Sequence, residues 1–127
     1  MPEDRPWPVP APHVVLGRRW TYAPPPWVMY EALVEHMDRW FVVHPGEPQP
    51  KVAASQQPHA VLLRPWVDPA ALAVELFIES HRRGAAMTVL VYADSPQLPD
   101  DMRRRVKYRL GMIFGAALRD WVDEPHN

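Results

Sequence analysis

"RRWTYAPPPWVMYEALVEHMDRWF" (18–41) sets three consecutive prolines between a strand-like run and a patterned helix. The run before the prolines, HVVLGRRWTY (13–22), alternates as a strand does. Val14, Leu16, Trp20 and Tyr22 share one face with Arg18, while Val15, Gly17, Arg19 and Thr21 take the other. Pro24, Pro25 and Pro26 end it, because proline has no N–H to give to a ladder. The same ring suits the first turn of a helix, where that N–H would be unpaired anyway. The spacing then predicts one helix over about 26–40. Met29, Tyr30, Leu33, Met37, Trp40 and Phe41 form its apolar stripe, with Glu31, Glu35, Asp38 and Arg39 opposite. HPGEPQP (44–50) stops any continuation.

Downstream, KVAAS (51–55) is a weak strand candidate, and HAVLLRPW (59–66) is a better one, ended by Pro65. LAVELFIES (72–80) alternates cleanly, which predicts Leu72, Val74, Leu76 and Ile78 inward and Glu75 and Glu79 outward. AAMTVLVYA (85–93) is rich in β-branched residues, and HRRG (81–84) joins it to the previous strand as an antiparallel hairpin. The chain closes with a long helix over about 99–123. Met102, Val106, Leu110, Ile113, Phe114, Ala117 and Trp121 make its apolar stripe. Pro99, Asp100 and Asp101 suit its first turn.

The chain of 127 residues is long enough for one core. Lys and Arg number 14 against 15 Asp and Glu, so no basic excess exists to neutralise phosphates and nucleic acid is not an expected partner. The lack of cysteine excludes disulfides and thiolate chemistry, and it fits a cytoplasmic location. No apolar run approaches the ~20 residues that span a bilayer, and MPEDRPWPVPAP (1–12) contains no secretion signal, so no membrane partner is expected. Residues 1–13 are a tail in which Pro2, Pro6, Pro8, Pro10 and Pro12 oppose both helix and ladder. Trp7 is its one residue that is costly to leave in water.

The order strand, helix, antiparallel strands, long terminal helix is similar to the helix-grip fold of the START-like (SRPBCC) superfamily. That superfamily includes the birch pollen allergen, polyketide cyclase-like aromatase/cyclases and the co-chaperone activators. The resemblance spans residues 14–123. It is carried by TYAPPPWVMYEAL (21–33), MDRWF (37–41), SQQPHAVLLRPW (55–66) and VELFIESHRRGAAMTVLVYADSP (74–96). It implies an α+β domain whose small curved antiparallel sheet wraps a long C-terminal helix, with a cavity between them. The family usually inserts another strand pair after the tryptophan turn. Here VVHPGEPQPKVAA (42–54) is too short and too proline-broken for one. The sheet is therefore expected to be smaller by about one hairpin, and the cavity shallower or open at one side.

The site residues favour binding over catalysis. Glu31, Glu35 and His36 group on one helix, but opposite its apolar stripe, so a solvated face is expected and no metal. No cofactor motif is present, and Ser55, Ser80 and Ser95 lack a nucleophile-elbow setting. His44, Arg64 and Glu75 are the nameable acid–base candidates for a cyclase- or hydrolase-like alternative. The aromatic and apolar set Trp20, Tyr30, Met37, Trp40, Trp66 and Phe114 is expected either to fill the core or to line a pocket for a hydrophobic or aromatic small molecule. Tyr108, Met112 and Gly115 lie away from the terminal helix's apolar stripe, with Gly111 at its border. Glycine inside a helix costs about 1 kcal/mol against alanine, so something is expected to approach closely there. A protein partner or a second copy of the chain would fit.

Overall fold

The computed structural model describes residues 7–10, 12–67 and 71–123. The first strand and its proline junction form as the sequence predicts: β1 (His13–Tyr22) is followed by α1 (Pro26–Val34), with Pro26 in its first turn. A short α2 (Met37–Trp40) leads to β2 (Val52–Gln56), β3 (Ala60–Leu63), β4 (Ala73–His81) and β5 (Gly84–Ala93). All strand pairs are antiparallel, in the order β1-β5-β4-β3-β2. β1 and β2 are the two edges, so α1 and α2 carry the chain from one side of the sheet to the other.

The terminal rod consists of α3 (Asp100–Leu110), a π-helical stretch (Gly111–Ala117) and α4 (Leu118–Asp123). Val106, Leu110, Ile113, Phe114 and Leu118 are buried along it. They meet the inward faces of Val61, Leu63, Val74, Leu76, Ile78, Met87, Val89 and Val91 in one cluster. Met102, expected on this stripe, is 36% exposed near the start of the rod.

Several further sequence expectations need correction. First, the single helix over 26–40 is two helices. His36 leaves helical geometry at φ −126 and ψ 15. This break lets the Trp40 indole fold back and donate to the Ala32 carbonyl at 2.9 Å. Carbonyls in the last turn of a helix have no partner of their own, so a side-chain donor compensates the break. Second, the β1 alternation slips. A bulge between Val14 and Leu16 puts both Val15 and Leu16 in the core and leaves Val14 50% exposed.

Third, Glu75 does point away from the terminal rod, but it is 0% exposed. Tyr92 Oη donates to its Oε1 at 2.6 Å and Trp7 Nε1 to its Oε2 at 2.7 Å. Arg64 adds a 2.6 Å bond to the Pro10 carbonyl. Residues 7–10 of the proline-rich tail therefore lie against the outer face of the sheet, and Pro2 and Pro6 fall outside the described residues. Leu72, expected inward, precedes β4 and is half-exposed.

Fourth, the π-helical stretch changes the phase of the terminal stripe. Leu118 N–H bonds the Ile113 carbonyl, five residues back. The Phe114 carbonyl takes a 2.7 Å bond from the Tyr22 hydroxyl. Burial pushes that hydroxyl's pKa well above the ordinary tyrosine value, with the Arg119 guanidinium opposing. Through this wide turn Gly115 backs onto Trp20 instead of joining Tyr108 and Met112 outside. A methyl added there would sit 2.9 Å from Trp20 Nε1, whereas one at Gly111 meets nothing within 4 Å. Gly111→Ala is expected to stabilise by about 0.5–1 kcal/mol through helix propensity alone. Gly115→Ala gains the same propensity but forces Trp20 to move, for an expected net loss of about 1 kcal/mol. Urea unfolding of both variants checks the pair; equal shifts would refute the Trp20 contact.

Candidate functional site

Phe114 stands at the middle of the space between sheet and rod. Trp20, Trp40 and Trp66 surround it, with ring centroids at 6.1, 6.4 and 5.9 Å. Trp66 is stacked on it at 14°, and Phe41 meets Trp66 edge-on at 87°. Met37 is buried in the same cluster, and Tyr30 packs against it while its hydroxyl bonds Ser55 Oγ at 2.9 Å. These side chains fill the interval between sheet and helix at the rod's midpoint. Offset and edge-on pairs of this kind add to burial itself.

The open space lies to one side of that plug. A cleft of about 890 Å³ runs between the loop His44–Pro48, the residues Pro65, Trp66, Val67, Ala71 and Leu72, and Arg105, Tyr108 and Arg109 of α3. The shortened connection between α2 and β2 leaves this side open, as the sequence reading expects. Of the six aromatic and apolar candidates, Trp66 lines the cleft; the other five stand behind it or farther along the core. Of the three rod candidates, Tyr108 lines it, Met112 is exposed farther along the rod, and Gly115 faces Trp20.

Sequence reasoning missed Arg109, the residue that organises the cleft's polar wall. Its Nη2 donates to Glu47 Oε1 at 2.7 Å and to the Val42 carbonyl at 2.9 Å, while its Nη1 donates to His44 Nε2 at 2.9 Å. Glu47 Oε1 also accepts the His44 backbone N–H at 2.8 Å, which pins the loop turn. Arg109 is only 13% exposed, so water and salt screen this ion pair less than a surface one. Two buried N–H groups on the cleft's side chains have no acceptor: Trp66 Nε1 and Arg109 Nε. The only hint in the sequence was an arginine one turn after Arg105 on a helix otherwise read for its apolar stripe.

The three acid–base candidates do not converge. His44 is in the cleft, Arg64 reaches the tail, and Glu75 lies on the opposite face of the sheet. Glu31, Glu35 and His36 bring one donor atom each within 4.8 Å of one another beside the α1–α2 break. His36 also lies 3.7 Å from Glu31 and 5.4 Å, ring to ring, from Trp121. Among the described residues no helix is long and apolar enough to cross a membrane.

A short antiparallel sheet gripping a terminal helix, with an opening beside that helix, is the helix-grip fold. Solved structures share this fold with the chain. CalU16 from Micromonospora echinospora superposes with a TM-score of 0.61 at 16% identity, over 84% of this chain and 71% of its own. Ara h 8.0201 gives a TM-score of 0.57 at 17% identity, over 84% and 95%. The Aha1 dimer from Colwellia psychrerythraea gives 0.52 at 11%, over 80% and 97%. No family model and no curated protein sequence matches the chain. At these identities the likeness is one of fold.

Proposed function

We propose that this domain binds a hydrophobic or aromatic small molecule without transforming it, in the cleft beside the C-terminal helix. The observation that carries this reading is the cleft itself, about 890 Å³, with the stacked Trp66 at its wall and Val67, Ala71 and Leu72 beside it. Its size falls within the range of small-molecule sites, which are mostly apolar with a few placed polar groups. Trp66 is the member of the aromatic set that meets the ligand. Trp20, Tyr30, Met37, Trp40 and Phe114 belong to the core cluster behind it. The separation of His44 from Glu75 and Arg64 argues against a shared acid–base site.

Titration with naphthalene-based probes, followed by tryptophan fluorescence, tests the reading. A saturable change is expected, weakened at least tenfold by Leu72→Arg at the cleft mouth. No saturable change across the panel would remove it.

A second reading is self-association through the outer face of the rod. Tyr108 is 70% exposed and Met112 46%, one helical turn apart on the rod. The Aha1 protein of the same fold is a dimer in solution. Sedimentation equilibrium decides it: a dimer for the wild type and a monomer for Met112→Glu are expected, and a monomer for both rules it out.

A further inference from the structure

We propose that the ligand of this cleft carries a carbonyl or carboxylate oxygen on its aromatic or apolar body, and that the Trp66 indole N–H receives it. This rests on the binding reading above and names the chemistry of that same site. Trp66 is 1% exposed, lines the cleft, and its Nε1 has no hydrogen-bond acceptor. Buried donors are nearly always paired, so one left open needs a physical account. Arg109 Nε, on the same wall, is a second unpaired donor.

Two acceptor atoms of this wall are already engaged. Glu47 Oε1 takes Arg109 and the His44 backbone, and His44 Nε2 takes Arg109. The buried side-chain atoms of this wall left without a partner are both donors, Trp66 Nε1 and Arg109 Nε. A site of this kind discriminates for a ligand oxygen much more strongly than an apolar wall discriminates by size, because the analogue lacking the oxygen leaves the donor unpaired. Both N–H groups are buried from water, so the ligand must part Trp66 from its neighbours as it enters. Phe41 stands edge-on to Trp66 at 5.6 Å and Phe114 is stacked on it at 5.9 Å.

The test compares three probes of one size on ¹⁵N-labelled protein: 2-ethylnaphthalene, 2-acetylnaphthalene and 2-naphthoate. A purely apolar cleft would favour the hydrocarbon. The expected result is at least tenfold tighter binding of the ketone, the carboxylate or both. One indole N–H cross-peak with NOEs to the bound probe should also move downfield. In Trp66→Phe, which keeps the aromatic wall and removes the donor, the ratio of oxygenated probe to hydrocarbon should fall toward unity. The wild-type cross-peak gives the answer even if that variant folds poorly. Hydrocarbon binding as tight as the others, or an indole cross-peak that stays in place because the Phe41 ring already serves the N–H, overturns this inference alone. Failure of all three probes to bind overturns the binding reading with it.

Discussion

Phe114→Ala is expected to lower the unfolding free energy by about 3–5 kcal/mol, the range for deleting a fully buried aromatic ring. The ring is 0% exposed and has three tryptophans around it, so its loss opens a cavity at the one place where sheet, α2 and rod meet. Large indoles on a packed frame relax poorly into such a space, which argues for the upper half of the range. Small domains are stable by only about 5–15 kcal/mol, so the variant should be near the edge of folding. Urea unfolding gives the number directly. A loss under about 1 kcal/mol would mean that the sheet does not grip the rod through this ring. Trp66 should also lose its fixed orientation, so binding of naphthalene probes should weaken in whatever fraction stays folded.

Gly84→Ala is expected to cost about 3 kcal/mol or more. Gly84 pairs with His81 across the turn between β4 and β5, with φ at +142. Side chains other than hydrogen are strained at that angle. Space compounds the problem, because an added methyl would overlap the carbonyl oxygens of Tyr22 and Ala23. Those carbonyls end β1 just before the proline junction, so they are not free to retreat. The variant must separate the hairpin from the end of β1 or twist the turn, and both disturb the central strand pair. Thermal unfolding with amide exchange on β1 and β5 distinguishes local opening from global loss. An unchanged melting temperature would contradict the close approach of these two turns.

Much of the architecture was legible before any coordinates. Alternation with period two located β1, β4 and β5, and the three prolines marked the passage from β1 to α1. Stripes with three- and four-residue spacing located α1 and the terminal rod, because each pattern needs only neighbouring residues to produce a one-sided apolar surface. The smaller sheet was expected from setting residues 42–54 against the strand pair that the resemblance implies there.

Three of the misplaced or missed groups depend on contacts made across long stretches of chain. Trp7 covers Glu75 from 68 residues away, and Tyr22 satisfies the Phe114 carbonyl from 92. Arg109 reaches Glu47 across 62 residues. Periodicity contains no information about such pairs. It therefore could not place Glu75 under cover, turn Gly115 toward Trp20 through the wide helical turn, or bring Arg109 to the cleft. The sequence by itself determined which surfaces are apolar and where the backbone must turn, since side-chain type and proline geometry act locally. Tertiary structure alone decided which aromatics became plug and which became wall. That outcome depends on how the rod's phase meets the sheet, and on which buried N–H groups are left waiting for an acceptor.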